Sequence, residues 1–329
     1  MEKKKVLYIV NPRSGIGKKK IIENEIVKRS DKETVAYEIV HTTHRGHAKE
    51  LAEAAREEVD VVVAVGGDGT VNEVGSSLVW SRRTALGIIP TGSGNGLARE
   101  LDIPMRASLA VDVINEFCTR QIDIMTIDGN ISLNVAGVGF DAYISHKFAD
   151  KKTRGPLQYM NLITKEFPEY EPEQYVLDID GHIYQRTAFL ISFANSSQWG
   201  NNIHIAPNAQ MDDGLIDVCI VSEFPNTAIP SLLISLLSQS IDDNKYDEII
   251  RTKSLQLRNE QPIMGHVDGE PVIIGPMAKV EISPLALKVV TPSAGFYAAT
   301  RFNPSKIREQ IINTVREPID GIRKRLEEL

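Results

Sequence analysis

A chain of 329 residues is long for one domain and comfortable for two, and 42% apolar with 25% charged residues is the balance of a globular protein that buries its own core. The net charge of −7 supplies no bulk basic field, which argues against a nucleic-acid partner. Cys118 and Cys219 lack CxxC spacing, so neither a disulfide framework nor a zinc site is expected, and a reducing cytoplasm fits.

In chain order, residues 6–10 form a continuous apolar run closed by Asn11-Pro12, the pattern of a buried strand. Residues 16–30 carry Ile21, Ile22, Ile26 and Val27 at helical spacing, and 34–40 alternates like a strand. Helix at 46–58, strand at 60–65, helix at 70–78, strand at 84–89 and helix at 93–101 continue the alternation. Repeated β-α-β units predict a parallel sheet with helices on both faces, spanning 1–121. Beyond 122 strand patterns dominate, at 122–127, 132–138, 174–179, 182–193, 215–221, 248–258, 262–267 and 279–290. Helical stretches at 143–166 and 226–240 interrupt them. This predicts a mainly antiparallel β domain over 122–292. In the remaining 293–329 segment, Ile307, Ile311 and Val315, then Ile322, Leu326 and Leu329 after Pro318, give an amphipathic helix pair. Its apolar stripe fits packing on the first domain, a dimer contact or a membrane-surface contact.

Chemistry concentrates at strand ends. The run Val61–Val65 ends in Gly66-Gly67-Asp68-Gly69-Thr70-Val71-Asn72, where glycines admit a phosphate to the backbone and a helix start offers free N–H groups. Asp68 would repel phosphate, so it points to a metal ion or a substrate proton, unless it only caps a helix. Pro90-Thr91-Gly92-Ser93-Gly94-Asn95-Gly96 repeats the strand, glycine turn and helix, with Ser93 and Asn95 as phosphate donors or caps. Asn11-Pro12-Arg13-Ser14-Gly15 is a third strand-end turn; it meets neither the Walker nor the G-x-G-x-x-G spacing. Gly265-His266-Val267-Asp268-Gly269-Glu270 sets two carboxylates around a glycine, either as a solvated turn or as acids reaching the phosphate loops. An Asp212-Asp213-Gly214 turn could bind a divalent cation, and Lys151, Lys152 and Arg154 could neutralise phosphate. No apolar run reaches bilayer-spanning length; that at 229–237 holds Pro230 and two serines. Leu232, Leu233, Ile234, Leu236 and Leu237 there serve as a core helix or a docking strip.

Taken together, Val-Gly-Gly-Asp-Gly-Thr-Val-Asn-Glu at 65–73, Ile-Pro-Thr-Gly-Ser-Gly-Asn at 89–95, Asn11–Gly15, Thr42 before Gly46-His47-Ala48, Pro207–Gly214 and Asp268-Gly269-Glu270 resemble the diacylglycerol kinase and sphingosine kinase superfamily, over about residues 5–295. The resemblance implies a phosphofructokinase-like nucleotide domain, a C-terminal β-sandwich and transfer of the ATP γ-phosphoryl group to a lipid hydroxyl with Mg²⁺. It implies ATP contacts from Asn11, Pro12, Arg13, Ser14, Gly15, Thr42, Gly66, Gly67, Asp68, Gly69, Thr70, Val71, Asn72 and Ser93. Asp68 or Glu270 would accept the hydroxyl proton, with Asp268 beside them. A structural Mg²⁺ would be held by Asp213 and by the backbone carbonyls of Gln210 and Leu215. The implied setting is cytoplasmic, with transient contact at the inner membrane surface. Gly96 stands where bacterial diacylglycerol kinases commonly carry Asp, and Gly200-Asn201-Asn202 replaces a common Gly-Gly-Gly. The rival readings are an NAD kinase-like enzyme and a nucleotide- or lipid-binding regulator without catalysis.

Overall fold

A computed structural model describes residues 3–15, 19–30, 33–149, 151 and 156–299. The amphipathic stretch at 303–329, and Lys152 and Arg154, lie outside the described residues, whereas Lys151 is exposed.

The N-terminal region follows the expected alternation: β1 (Lys4–Val10), α1 (Lys19–Arg29), β2 (Val35–His41), α2 (His47–Ala55), β3 (Val61–Gly66), α3 (Asp68–Leu78), β4 (Ala85–Pro90), α4 (Gly96–Glu100) and α5 (Ala107–Glu116). The strands pair in parallel in the order β2-β1-β3-β4. In β3 and β4 every residue is buried, because helices cover both faces of a parallel sheet. The right-handed crossover rule sends α1 to one face and α2 and α3 to the other, and α1 packs with α5 while α2 packs with α3. Helix α5 escapes the sequence reading. Its buried face of Ala110, Val111, Val113 and Ile114 has helical spacing, but it starts after Arg106, which makes no side-chain cap.

The second region comprises β5 (Thr119–Ile127), β6 (Asn130–Ser132), β7 (Val135–Gly139), α6 (Phe140–Ala149), α7 (Pro156–Glu166), β8 (Glu173–Ile179), β9 (His182–Ala194), β10 (Gln198–Gly200), β11 (Ile203–His204), β12 (Ile216–Ser222), α8 (Ile229–Ser238), β13 (Asp247–Thr252), β14 (Ser254–Arg258), β15 (Ile263–Val267), β16 (Glu270–Ile274), β17 (Met277–Val290) and α9 (Phe296–Ala299). Pairing here is antiparallel. The single strand expected at 248–258 is two. Asp247–Thr252 joins β12, and Ser254–Arg258 joins β8 and β17, so the chain changes partners at Lys253. The helix expected at 143–166 is likewise two, α6 and α7.

Strand β17 joins the two regions. Its first half pairs with β14 and β5, and near its end Val289 pairs in parallel with Leu86 of β4. Between them the register with β5 shifts from Ser283 to Leu287, and Leu285 sits in the left-handed region at φ 50°. The buried carboxylate of Asp123 holds this irregularity: it accepts the N–H of Leu285 and the N–H of Gly214, each at 2.7 Å.

One apolar core lies around the parallel sheet and a second lies inside the sandwich. A third fills the outer side of β7, β9 and β12 under α6, α7 and α8, and is rich in rings: Phe189 lies against Phe140, Phe167, Tyr170 and Phe224. Asp247 pairs with Val221 on this same side. No side-chain donor among the described residues reaches its buried oxygens. Burial, with the charge of Asp242 added, lifts its pKa to about 8 against the weaker pull of the Glu248 amide. An acid whose folded value exceeds its unfolded value of about 4 supports the fold fully below about pH 4 and loses that support as pH climbs through about 8. The thermal midpoint should therefore fall more between about pH 5 and about pH 8.5 in the parent chain than in Asp247→Asn. Parallel midpoint-versus-pH curves for the two proteins would deny the assignment.

Candidate active site

The carboxyl ends of β1, β2, β3 and β4 lie along one edge of the parallel sheet, and the loops that leave them interlock. The Asn11 N–H donates to the Val65 carbonyl at 3.0 Å, and the Asn11 amide donates to Thr70 Oγ1 at 3.0 Å. The Ser14 hydroxyl lies 2.8 Å from that of Thr91, whose N–H donates to the Gly66 carbonyl at 2.8 Å. Two glycines are required by contact rather than by turn type alone: a Cβ on Gly92 would stand 2.6 Å from the Gly67 Cα, so the loops after β3 and β4 touch backbone to backbone. The Thr42 N–H donates to the Val10 carbonyl at 3.0 Å, which brings the second loop to the same edge. Pro12, Arg13 and Ser93 are exposed there, whereas Val71 points into the core.

Asp68 does not stand open to the edge. Its two oxygens accept the N–H groups of Asn95, at 2.8 Å, and Gly96, at 2.7 Å, so it caps α4 from the neighbouring loop. The Asn95 side chain closes its own turn, accepting from the Gly92 N–H at 2.9 Å and donating to the Gly92 carbonyl at 2.8 Å, so its amide is not left for phosphate. Burial raises the Asp68 pKa; the two N–H bonds oppose that, and the nearby Asp268 adds to it. Gly96 has a local reason. A Cβ there would meet Asn134 Nδ2 at 2.6 Å and the Trp199 carbonyl at 2.8 Å, leaving no room for a side chain. Asn201 and Asn202, at φ 52° and 60°, keep the left-handed turn that glycines would make, a conformation asparagine tolerates.

The β15–β16 hairpin brings the other two acids to this place. Asp268 is saturated: five donors reach it, from Ser132 Oγ, the N–H groups of Leu133, Asn134 and Val135, and the Asn72 amide, at 2.7 to 3.1 Å. Asn72, on α3, thereby ties the nucleotide-type loop to β6 and β7. The hairpin is also held from behind. The Gly269 N–H donates to His266 Nδ1 at 3.3 Å, which leaves the Nε2 proton for Asp141, 3.0 Å away, and Ser192 donates to the same Asp141 oxygen at 3.1 Å. Glu270 differs from both aspartates. It projects over the start of α3, where a Cβ on Gly69 would stand 3.0 Å from its Oε1. Its Oε2 lies 2.8 Å from the guanidinium of Arg45, and 43% of the glutamate side chain is exposed.

The expected cation donors Gln210, Asp213 and Leu215 share one turn, but the carboxylate is already committed. Asp213 Oδ1 accepts the Leu215 N–H at 3.0 Å, and Oδ2 pairs with Arg251 at 2.6 Å, while Arg251 also reaches Asp217 at 3.1 Å. Asp212 pairs with Arg120 at 2.8 Å. Among the described residues no cluster of three acidic, histidine or cysteine ligands forms. As the side chains stand, Arg251 neutralises Asp213, the one carboxylate among the three expected donors.

Three contributors escape the sequence reading. Glu73 accepts the N–H groups of Gly46, at 3.0 Å, and Ala48, at 3.2 Å, and so positions the second loop at the start of α2. The Asp141–His266 pair is separated by 125 residues, and Arg45–Glu270 by 225. Glu73 closes the motif at 65–73 and Arg45 stands between Thr42 and Gly46, but a motif does not say where a side chain points.

Replacing Asp268 with Asn should destabilise the protein by about 2–4 kcal/mol in denaturant unfolding, because the amide turns a donor toward backbone N–H groups that need an acceptor. Chelation by EDTA, without nucleotide, should leave the thermal midpoint unchanged; a fall on chelation would reveal a resident cation.

Residues 5–127 match the family model described as the diacylglycerol kinase catalytic domain, and residues 134–291 match the YegS C-terminal NAD kinase beta sandwich-like domain. The Bacillus subtilis (strain 168) protein named "Diacylglycerol kinase" is 31% identical over 282 residues, which cover 82% of this chain and 90% of that one. The Chromohalobacter salexigens protein named "Probable lipid kinase YegS-like" is 31% identical over 229 residues, 68% of this chain and 73% of that one. A crystal structure of a diacylglycerol kinase from Bacillus anthracis superposes with a TM-score of 0.68 at 21% identity, covering 89% of this chain and 99% of that one, a likeness of fold. With this identity spread over nine-tenths of the Bacillus subtilis protein, on a parallel nucleotide-type sheet joined to an antiparallel sandwich, the chain belongs to the diacylglycerol kinase and YegS-like family of lipid kinases.

Proposed function

We propose that this protein transfers the γ-phosphoryl group of ATP to the primary hydroxyl of a membrane lipid. Diacylglycerol is the first acceptor to consider, and a sphingoid base or ceramide the next. Magnesium enters with the nucleotide as part of the substrate. The observation that carries the reading is the position of Glu270. It is the acid that lies over the glycine start of α3 with an oxygen on an exposed partner, while both aspartates have their oxygens taken by N–H donors.

In this reading the ATP phosphates lie along the loops at 11–15, 42–46, 66–70 and 90–95. The free N–H groups and the dipole at the start of α3 favour their charge. Glu270 accepts the hydroxyl proton while the new oxygen–phosphorus bond forms and the bond to ADP breaks. Asp68 and Asp268 act as positioning residues: the first shapes the turn at 92–96, and the second fixes the hairpin that carries Glu270. Catalysis rests on placement and charge, as suits a phosphoryl group that needs little covalent help. The family membership supports ATP use, and the names of the Bacillus relatives support diacylglycerol as acceptor.

The acceptor is drawn from a bilayer surface, so the protein works as a peripheral one at the inner membrane face. Helix α8 is a candidate contact: Leu232 and Leu236 pack inward, whereas Ile234 is 61% exposed on a helix with no charged residue. No helix among the described residues is long and apolar enough to cross a membrane.

The test is phosphate transfer from radiolabelled ATP to diacylglycerol, monoacylglycerol, a sphingoid base, ceramide and NAD. Label in phosphatidic acid is the expected result. Label in NADP alone would replace the lipid reading with the NAD kinase-like one that the sandwich also suggests. Glu270→Gln should lower kcat by roughly 10²–10⁴ while nucleotide binding persists. A kcat near the parent value would remove Glu270 as the base.

A further inference from the structure

Arg45 lies between β2 and α2 in a segment whose backbone is pinned. The Glu73 carboxylate takes the N–H groups of Gly46 and Ala48 on its far side, and Gly46 turns through φ 85°. The guanidinium reaches back to Glu270, 225 residues on, with its Nη2 atom 2.8 Å from Oε2. Glu270 in turn rests over Gly69. A cation and an acid are therefore held together above the start of α3, the end of a helix that favours anions. Arg45 is 77% exposed, so this pair is strongly hydrated and holds weakly. A phosphoryl group carries more negative charge than a carboxylate and matches the guanidinium fork with paired oxygens.

We infer that Arg45 is a catalytic residue that grips the transferring γ-phosphoryl group, and that in the nucleotide-free protein it holds Glu270 in place until ATP arrives. The inference rests on the kinase reading above. When the γ-phosphate enters, Arg45 exchanges Glu270 for phosphate oxygens. That exchange releases Oε2 to accept the proton of the acceptor hydroxyl. The hydroxyl oxygen bonds to phosphorus, the bond from phosphorus to the ADP oxygen breaks, and the proton ends on Glu270. Arg45 gains and loses no proton; it offsets the charge that builds on the phosphoryl oxygens in transit. The base is thus withheld by its own counter-ion while the γ-phosphate is missing, and made available by the group it serves.

The experiment compares binding of ADP and of the β,γ-imido analogue of ATP, by calorimetry, in the parent protein, Arg45→Ala and Arg45→Lys. Turnover on dioleoylglycerol in mixed micelles is measured alongside. Arg45→Ala should bind the analogue about tenfold more weakly, bind ADP within about twofold of the parent, and lose roughly 10²–10³ in kcat. Arg45→Lys should recover analogue binding, through charge, more than kcat, which needs the fork. Equal weakening of ADP and analogue, or a kcat within about twofold of the parent, would overturn the inference and leave Arg45 as a structural tie. Because the two ligands are compared within one protein, a general loss of folded material affects both alike, and Arg45→Lys supplies a second variant with the charge retained. A parent protein that binds the analogue but labels no lipid defeats the lipid reading; the ADP-versus-analogue difference then still decides the role of Arg45.

Discussion

The carboxylate of Asp268 is the point on which the geometry turns. Two oxygens collect three consecutive backbone N–H groups, a serine hydroxyl and the Asn72 amide, and those donors come from both halves of the molecule. A carboxylate with this many donors cannot be exchanged for an amide without leaving N–H groups unpaired. Because Asn72 stands on α3, the bond fixes the hairpin of β15 and β16 against the start of that helix. Glu270 comes two residues later, so its reach over Gly69 follows from where Asp268 is tied.

The remaining loops are built on the same economy. Glu73 shapes the loop after β2, Asp68 shapes the loop after β4, and Asn11 and Thr91 tie their loops to the one after β3. Each acidic side chain serves N–H groups of a loop other than its own. The edge of the sheet is therefore pre-organised before any nucleotide arrives, which is what phosphoryl transfer asks of a protein. Glycines at 67 and 92 allow this by letting backbones approach where a Cβ would collide.

Charge is arranged differently in the second region. The turn at 212–217 uses Arg120 and Arg251 to neutralise its acids, and Asp123 fastens the same turn to the irregular middle of β17. Since β17 also pairs with β4, the join between the two regions is itself a hydrogen-bonded strand rather than a linker. The ring-rich core under α6, α7 and α8 lies on the far side of β7 and β9 from the sandwich interior, and Phe140 opens it immediately before Asp141, the partner of His266.

Apolar periodicity and turn chemistry sufficed for the parallel sheet, its helices other than α5 and the glycine turns, because short β-α-β units are decided by local pattern and a right-handed rule. The motif order was sufficient for the family. Local pattern could not see that 248–258 divides between two sheet partners, since both halves are equally strand-like and only the register tells them apart. It could not rank the three acids either. Asp68, Asp268 and Glu270 are alike as residues in glycine turns. What separates them is which N–H groups the fold brings to two of them and which guanidinium it brings to the third. By itself the sequence determined a nucleotide-type sheet, a second β region and a strand-end site with acids in it. The tertiary structure alone decided their division of labour, because hydrogen-bond partners 133, 196 and 225 residues apart are set by packing and not by spacing.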